Sequence, residues 1–204
     1  EVLDQRLAGG IPPGRMVCFV TPPDTQGELV VKELVAERDT LYLSTVRPRW
    51  EVEEELRDAV RRADADSGSG IEVRHATAEE LLSDPRQYLD RLPRRSNLVV
   101  DPITDLEGDD RTTYLEFLNL AKERLWETGS VGMFVAPEGD RVPPLRTLTL
   151  KRTDLVWQLR TSLSTDRIEH LLTVSKFRGG AALTEPLKLV LDDEVRVDTS
   201  RDIA

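Results

Sequence analysis

The sequence predicts an α/β fold with a mainly parallel central sheet and antiparallel strands at the C-terminal end. Three observations carry this expectation. Short β-rich apolar runs alternate with longer amphipathic stretches through the first two thirds of the chain, the pattern of βα units around a parallel sheet. Two of those stretches, residues 50–63 and 112–126, carry a clear apolar stripe at helical spacing. Beyond Gly139 the helical pattern gives way to successive β-like runs separated by polar or Pro/Gly breaks.

The first strand is expected over residues 16–20, followed by a helix over 28–37 and a second strand over 41–43. In the helix of residues 50–63, Val52, Leu56, Ala59, Val60 and Ala63 fall on one face. The small-residue run 65–70, containing Ser67, Gly68, Ser69 and Gly70, reads as a surface loop leading into a strand at 71–74. One helix over 78–89, with Thr77 as N-cap, precedes a strand at 98–100. Leu115, Leu118 and Leu125 mark the helix 112–126, and a strand follows at 131–135. Pro143 and Pro144 mark a loop before a short helix ending near Lys151. Runs at 155–159, 168–174, 187–191 and 195–197 read as an antiparallel extension of the sheet.

At 204 residues the chain is expected to be one domain spanning 1–204. It begins at Glu1 and not at methionine, so a trimmed or preceding segment is expected. No apolar run reaches the roughly 18 residues a spanning helix needs and no signal pattern opens the chain, so a cytoplasmic protein with no membrane segment is expected. One cysteine, Cys18, rules out an internal disulfide and a cysteine zinc site, and two histidines, His75 and His170, make a poor metal cage. Cys18, between Val17 and Phe19, is read as a buried small hydrophobe, and both histidines as packing or edge residues.

With 28 basic and 38 acidic residues the net charge is −10, which opposes attraction to nucleic-acid phosphates. The densest basic patch, Arg86, Arg91, Arg94 and Arg95, is interrupted by Asp84 and Asp90. Lysine occurs only at positions 32, 122, 151, 176 and 188. This acidic, arginine-biased composition resembles that of proteins from salt-adapted archaea.

The segment 3–29 reads LDQRLAGGIPPGRMVCFVTPPDTQGEL. It resembles the N-terminal part of RecA-superfamily ATPases of the KaiC/RadA type, with Leu3, Asp4, Gly9, Gly10, Ile11, Pro12 and Gly14 matching the family pattern and residues 16–20 its first strand. Residues 97–106, NLVVDPITDL, resemble the Walker B strand with Asp101 at its end. Residues 175–179, SKFRG, resemble the family's intersubunit finger, with Lys176 and Arg178 in its two basic positions. The resemblance implies a RecA-like three-layer core.

The loop departs from the family where phosphate is held. A working loop reads G-x-x-x-x-G-K-[ST], its backbone N–H groups wrapping phosphate, its lysine bridging phosphates and its hydroxyl holding Mg²⁺. Here Thr21, Pro22, Pro23, Asp24, Thr25, Gln26, Gly27 and Glu28 occupy those eight positions without gaps, and none of the four signature residues is present; if the alignment slips so that Gly27 serves as the second glycine, Glu28 replaces the lysine. Pro22 and Pro23 have no N–H to donate, while Asp24 and Glu28 bring negative charge. Each charge-assisted hydrogen bond lost costs roughly 1.5–3 kcal/mol. After the second strand, where the family carries paired glutamates that polarise water, the chain reads LYLSTVRPRW, with Arg47 and Pro48 near those positions. Arginine cannot act as the base.

These departures predict a RecA-like domain that has lost ATP hydrolysis and ATP binding, has no catalytic residue, metal or cofactor, and serves as a protein-interaction or regulatory module. Its expected partner is a second copy or a paralogous RecA-like subunit. The alternative is an ATPase with an unorthodox loop, using ATP and Mg²⁺ in DNA recombination or signalling; a third reading is a remodelled cleft for another small anion or nucleotide. Asp101 is read as a structural acceptor for loop N–H groups, and Asp105, Glu107, Asp109 and Asp110 as a solvated acidic run. Trp50, Trp126 and Trp157 are read as core or interface anchors.

Overall fold

Strand β1 (Met16–Thr21) is buried along its whole length, as an apolar run without alternation requires, since both faces must be covered. The computed structural model describes residues 10–64, 70–163, 168–180, 182–192 and 195–198, without the side chains of 58–64. After β1 come α1 (Gly27–Ala36), β2 (Thr40–Ser44), α2 (Arg49–Asp64), β3 (Ile71–His75), α3 (Ala78–Ser83), α4 (Pro85–Leu89) and β4 (Asn97–Asp101). A 3₁₀ helix (Ile103–Gly108), α5 (Arg111–Thr128), β5 (Val131–Pro137), α6 (Arg146–Arg152), β6 (Leu155–Leu163), β7 (Ile168–Phe177), β8 (Leu187–Leu191) and β9 (Val195–Val197) complete the described elements.

These strands form one sheet in the order β3-β2-β4-β5-β1-β6-β7-β8-β9. From β3 to β6 the strands run parallel, and from β6 to β9 antiparallel. The first C-terminal strand therefore differs from the antiparallel extension expected: β6 lies parallel to β1, Val17 opposite Leu155 and Val20 opposite Gln158. The reversal begins one strand later.

Alternate residues of each central strand feed two cores. Met16, Cys18 and Val20 join Leu41, Leu43, Tyr114, Phe117 and Leu118 on the face covered by α3 to α6. Val17 and Phe19 join Val30, Val31, Val35, Val52 and Leu56 on the face covered by α1 and α2. The result is a three-layer α/β/α sandwich, the arrangement that a two-faced apolar sheet enforces.

The helix expected over 78–89 is broken in two. Pro85 has no N–H and disfavours helical backbone at the residue before it; Asp84 leaves the helix at φ −142°, ψ 74° and restarts it by accepting from the Gln87 N–H at 3.4 Å. Thr77 caps α3 as expected, in a reciprocal capping box with Glu80. Residues 65–69 of the expected loop, Ala59, Val60 and Ala63 of the α2 stripe, and the family-like Leu3, Asp4 and Gly9 lie outside the described residues or side chains. Gly14 of that motif sits at φ +75°, and a Cβ there would meet Trp126 Cε3 at 2.9 Å. Only glycine lets this turn pass beneath the indole.

Candidate functional site

The carboxyl ends of β1, β2, β4 and β5 open into a cleft of about 540 Å³, the place where open α/β sheets put their ligand-binding groups. Thr21, Pro22, Pro23, Thr25, Gly27 and Glu28 line one side, and Val31, Lys32, Tyr42, Arg47, Glu55, Leu56, Asp101, Val135 and Pro137 the rest. Of the eight loop positions singled out in the sequence, Asp24 and Gln26 point away as exposed side chains outside the lining.

The loop between β1 and α1 is closed on itself. The Thr21 and Thr25 hydroxyls lie 2.6 Å apart, and the Pro22 carbonyl accepts from both the Thr25 hydroxyl at 2.8 Å and its N–H at 3.3 Å. Gly27, first residue of α1, is pressed against Thr21: a Cβ on it would stand 2.7 Å from Thr21 Oγ1. No side chain caps this end of α1.

Across the cleft, Arg47 joins three elements. One end of its guanidinium donates to Glu55 of α2. The other, Nη2, reaches Asp101 Oδ2 of β4 and the Tyr42 hydroxyl of β2, each at 3.4 Å. Tyr42 itself donates to Asp101. The second Glu55 oxygen faces Lys32 of α1 at 3.3 Å. The Arg47 main chain is fixed in turn, its N–H donating to Ser44 Oγ at 3.1 Å while its carbonyl accepts from Ser44 Oγ at 2.7 Å and lies 3.1 Å from His75 Nδ1.

Electrostatics separate the two carboxylates. Burial pushes Asp101 above the usual carboxylate range despite its Tyr42 and Arg47 contacts. For Glu55 burial works in the same direction but is overcome by the Arg47 hydrogen bond and charge and by Lys32, so its carboxyl is held below that range. Burial, and then the Asp101 charge, raise the Tyr42 phenol well above its ordinary value. Arg47, desolvated but facing Glu55, Tyr42 and Asp101, holds its proton more firmly than a free guanidinium. Asp101 thus binds a tyrosine and an arginine, not the loop N–H groups expected from the sequence.

Lys176 and Arg178 both turn to the end of α6. The Lys176 ammonium donates to the carbonyls of Thr153 at 2.5 Å, Leu150 at 2.7 Å and Lys151 at 3.2 Å, and Arg178 donates to that of Lys151 at 2.9 Å. Cations here complement the negative end of the helix. Burial and the neighbouring Arg178 lower the Lys176 pKa, against the pull of Asp154 and Cys18.

Two buried clusters were not legible in the sequence. Glu107, expected in a solvated acidic run, is fully buried against Arg146, with Thr149 and Tyr114 completing the chain of hydrogen bonds. It joins the 3₁₀ helix to α6. Asp110 caps α5, accepting from the Thr112 and Thr113 N–H groups at 2.8 and 3.0 Å, while Asp105 and Asp109 are exposed. At the other end of β1, Asp154 accepts from Lys122 at 2.5 Å and from the Met16 N–H at 2.9 Å, with Arg15 at 3.4 Å.

Cys18 is buried in β1, and desolvation pushes its thiol up to about 12. Trp157 is buried, whereas Trp50 and Trp126 are 64% and 73% exposed, so only the first is a core anchor. His170 lies in β7 with its Nδ1 3.4 Å from the Thr161 hydroxyl. Of the arginine patch, Arg91 is spoken for by Glu72 at 2.7 Å. Among the described residues no cluster of His, Cys, Asp and Glu could hold a metal ion, and no helix is long and apolar enough to cross a membrane.

No curated protein matches the chain. Among solved structures, it is similar to the flagellar accessory protein FlaH of Methanocaldococcus jannaschii, with a TM-score of 0.75 at 11% identity over 98% of this chain and 96% of that one. A KaiC-like protein of Pyrococcus horikoshii OT3 gives a TM-score of 0.72 at 13% identity, over 96% and 94% of the two chains. At these identities the likeness concerns the fold, which is the RecA-like α/β core with antiparallel C-terminal strands. Residues 1–204 match one family along their whole length, and the chain belongs to it: the family of unknown function DUF7125.

Proposed function

We propose that this chain is a RecA-like domain that neither binds nor hydrolyses ATP and serves as a protein-interaction or regulatory module, paired with a second copy or with a RecA-like paralogue. The observation that carries the reading is a loop that spends its polar groups on itself, Thr21, Pro22 and Thr25 bonding to one another where a working loop would hold phosphate. Gly27, where the lysine of a working loop would stand, is sealed against Thr21. The Thr25 hydroxyl donates to the Pro22 carbonyl and lies 2.6 Å from the Thr21 hydroxyl.

The residues present do not fit a magnesium triphosphate. Pro22 and Pro23 supply no donors, Glu28 adds a negative charge to the wall, and Asp101, the one carboxylate retained at a strand end, is taken by Tyr42 and Arg47. Summed over the lining, Lys32 and Arg47 face Glu28, Glu55 and Asp101, a balance that leaves no net attraction for a polyanion. The neighbour FlaH is described as an accessory protein, and an accessory role is what a cleft without turnover leaves open here. The acidic, lysine-poor composition supports a salt-adapted archaeal origin.

Calorimetric titration of ATP·Mg²⁺ in molar KCl, alongside light scattering over a concentration series, tests this. Absence of binding heat together with a concentration-dependent dimer or larger species is the expected result. Saturable ATP binding, or Mg²⁺-dependent turnover that falls in Asp101→Asn, would return the domain to the ATPases. A strict monomer that co-purifies with nothing would remove the interaction role.

A further inference from the structure

The cleft holds one feature that the loss of a phosphate loop does not explain. Two cations from separate elements converge on a single side-chain carboxylate. Lys32, from the body of α1, stands 3.3 Å from Glu55 Oε1, and Arg47, from the loop after β2, pairs with Oε2. All three line the cleft. Divided between two cationic donors in this way, a carboxylate occupies the position that one end of a free oxyanion would take.

Arg47 is held independently of Glu55. The far edge of the Arg47 guanidinium rests on Asp101 and Tyr42, its main chain is pinned by Ser44, and Lys32 projects from a regular helix turn. Glu55, by contrast, stands on the face of α2 with its side chain about one quarter exposed, and among the described residues its ion-pair partners are Arg47 and Lys32. Removing its charge would leave the Arg47 donor in place and the Lys32 ammonium released beside it, without dismantling the cleft.

We infer that Lys32 and Arg47 form a binding site for a compact oxyanion of the phosphate type, and that Glu55 is its built-in competitor. The carboxylate is tethered beside the two cations, so an external anion must overcome a high local concentration of an internal one. It must also overcome the Glu55 charge, which at this range and partial burial is worth about tenfold in affinity. The wall across the cleft limits the ligand to a single oxyanion group, because Glu28 and the donorless Pro22 and Pro23 offer nothing to a longer chain. This goes beyond the proposed interaction role and does not depend on it: that role is judged on the unaltered chain with ATP·Mg²⁺, this site on Glu55 variants with inorganic phosphate.

The test is calorimetric titration of inorganic phosphate, at fixed ionic strength, into the unaltered chain, Glu55→Gln and Glu55→Ala. Both replacements are strong helix formers at a partly exposed position, and far-UV circular dichroism verifies that each is folded. Either folded variant is expected to bind phosphate at least about tenfold more tightly than the unaltered chain, and adding Arg47→Met to it is expected to erase the gain. Phosphate affinity unchanged in folded Glu55 variants overturns the proposal. So does a gain that survives loss of Arg47, because the anion would then be bound elsewhere.

Discussion

Arg146 donates through Nε to both carboxylate oxygens of Glu107, at 2.9 and 2.8 Å, where Glu107 has no exposed surface at all. The remaining guanidinium nitrogens donate to Ala136 O at 3.3 Å, Pro137 O at 3.3 Å and Thr104 Oγ1 at 3.1 Å. This cluster clamps the end of β5 between the 3₁₀ helix and α6. Burial raises the Glu107 pKa, with Thr149 and Arg146 opposing, so the carboxylate depends on its partner.

Arg146→Met is expected to destabilise the fold by roughly 3–5 kcal/mol, since it strands a buried carboxylate. The double replacement Arg146→Met with Glu107→Leu is expected to recover most of that loss, because two charges are removed together. Urea midpoints of the two single variants and the pair give the coupling directly. Additive losses would show that the pair is not the clamp.

Asp154 sets an acid limit on stability. Burial opposes its ionisation but is overcome by Lys122, the Met16 N–H and Arg15, which hold its pKa below the ordinary 3.8. The stability it contributes is complete above that ordinary value and is lost as pH falls below it towards the depressed one. Asp154→Asn is expected to cost roughly 1.5–3 kcal/mol at neutral pH and to flatten the acid limb of a plot of urea midpoint against pH. An acid limb of undiminished steepness would place the sensitivity elsewhere.

Asp101 acts with the opposite sign. Its folded pKa lies above the ordinary 3.8, so its contribution is complete below that value and is lost as pH rises through the raised one. Asp101→Asn is therefore expected to be at least as stable as the parent at neutral pH, and to lack the decline that the parent shows on leaving the acid range. Thermal melts across that range check both statements, and a clear loss of stability at neutral pH would contradict them.

The contact between Gly27 and Thr21 predicts a paired effect. Gly27→Ala places a Cβ within 2.7 Å of Thr21 Oγ1 and is expected to cost roughly 1–3 kcal/mol from overpacking. Thr21→Ala removes the obstructing hydroxyl, so the double variant is expected to lose less than the sum of the two. Strict additivity in a double-mutant cycle would mean that the helix start has moved aside.

Much of the fold could be read from local pattern, and the reason is visible in β1 and α5. Uninterrupted burial of residues 16–21 shows as an unbroken apolar run, and the inward face of α5 repeats at helical spacing with Phe117, Leu118, Ala121 and Leu125 buried. The parallel pairing of β6 with β1 could not be read, because a strand's own alternation says which face is buried but not which neighbour it chooses. The break at Pro85 was written in the sequence and is a matter of weighing one imino acid against a good stripe.

At the site, absence was easier to read than presence. Thr21 to Glu28 announce what they lack by comparison with a phosphate loop. The contacts of Arg47 with Glu55 and Asp101, eight and 54 residues away, exist only once β2, β4 and α2 are packed together. The same holds for Arg146 and Glu107, 39 residues apart. A lone arginine beside the apolar Leu145 and Leu148 was the only local hint, and an acidic run masked its partner.

The chain's single thiol lies in the middle of its innermost strand, closed off on both sides by neighbouring strands. An alkylating reagent can reach Cys18 only in molecules whose central strand has been laid bare, so the speed of labelling counts those molecules without any engineered probe. The protein thereby carries a gauge of its own opening, one that a docked partner or a captured anion would slow and that a loosened clamp would quicken.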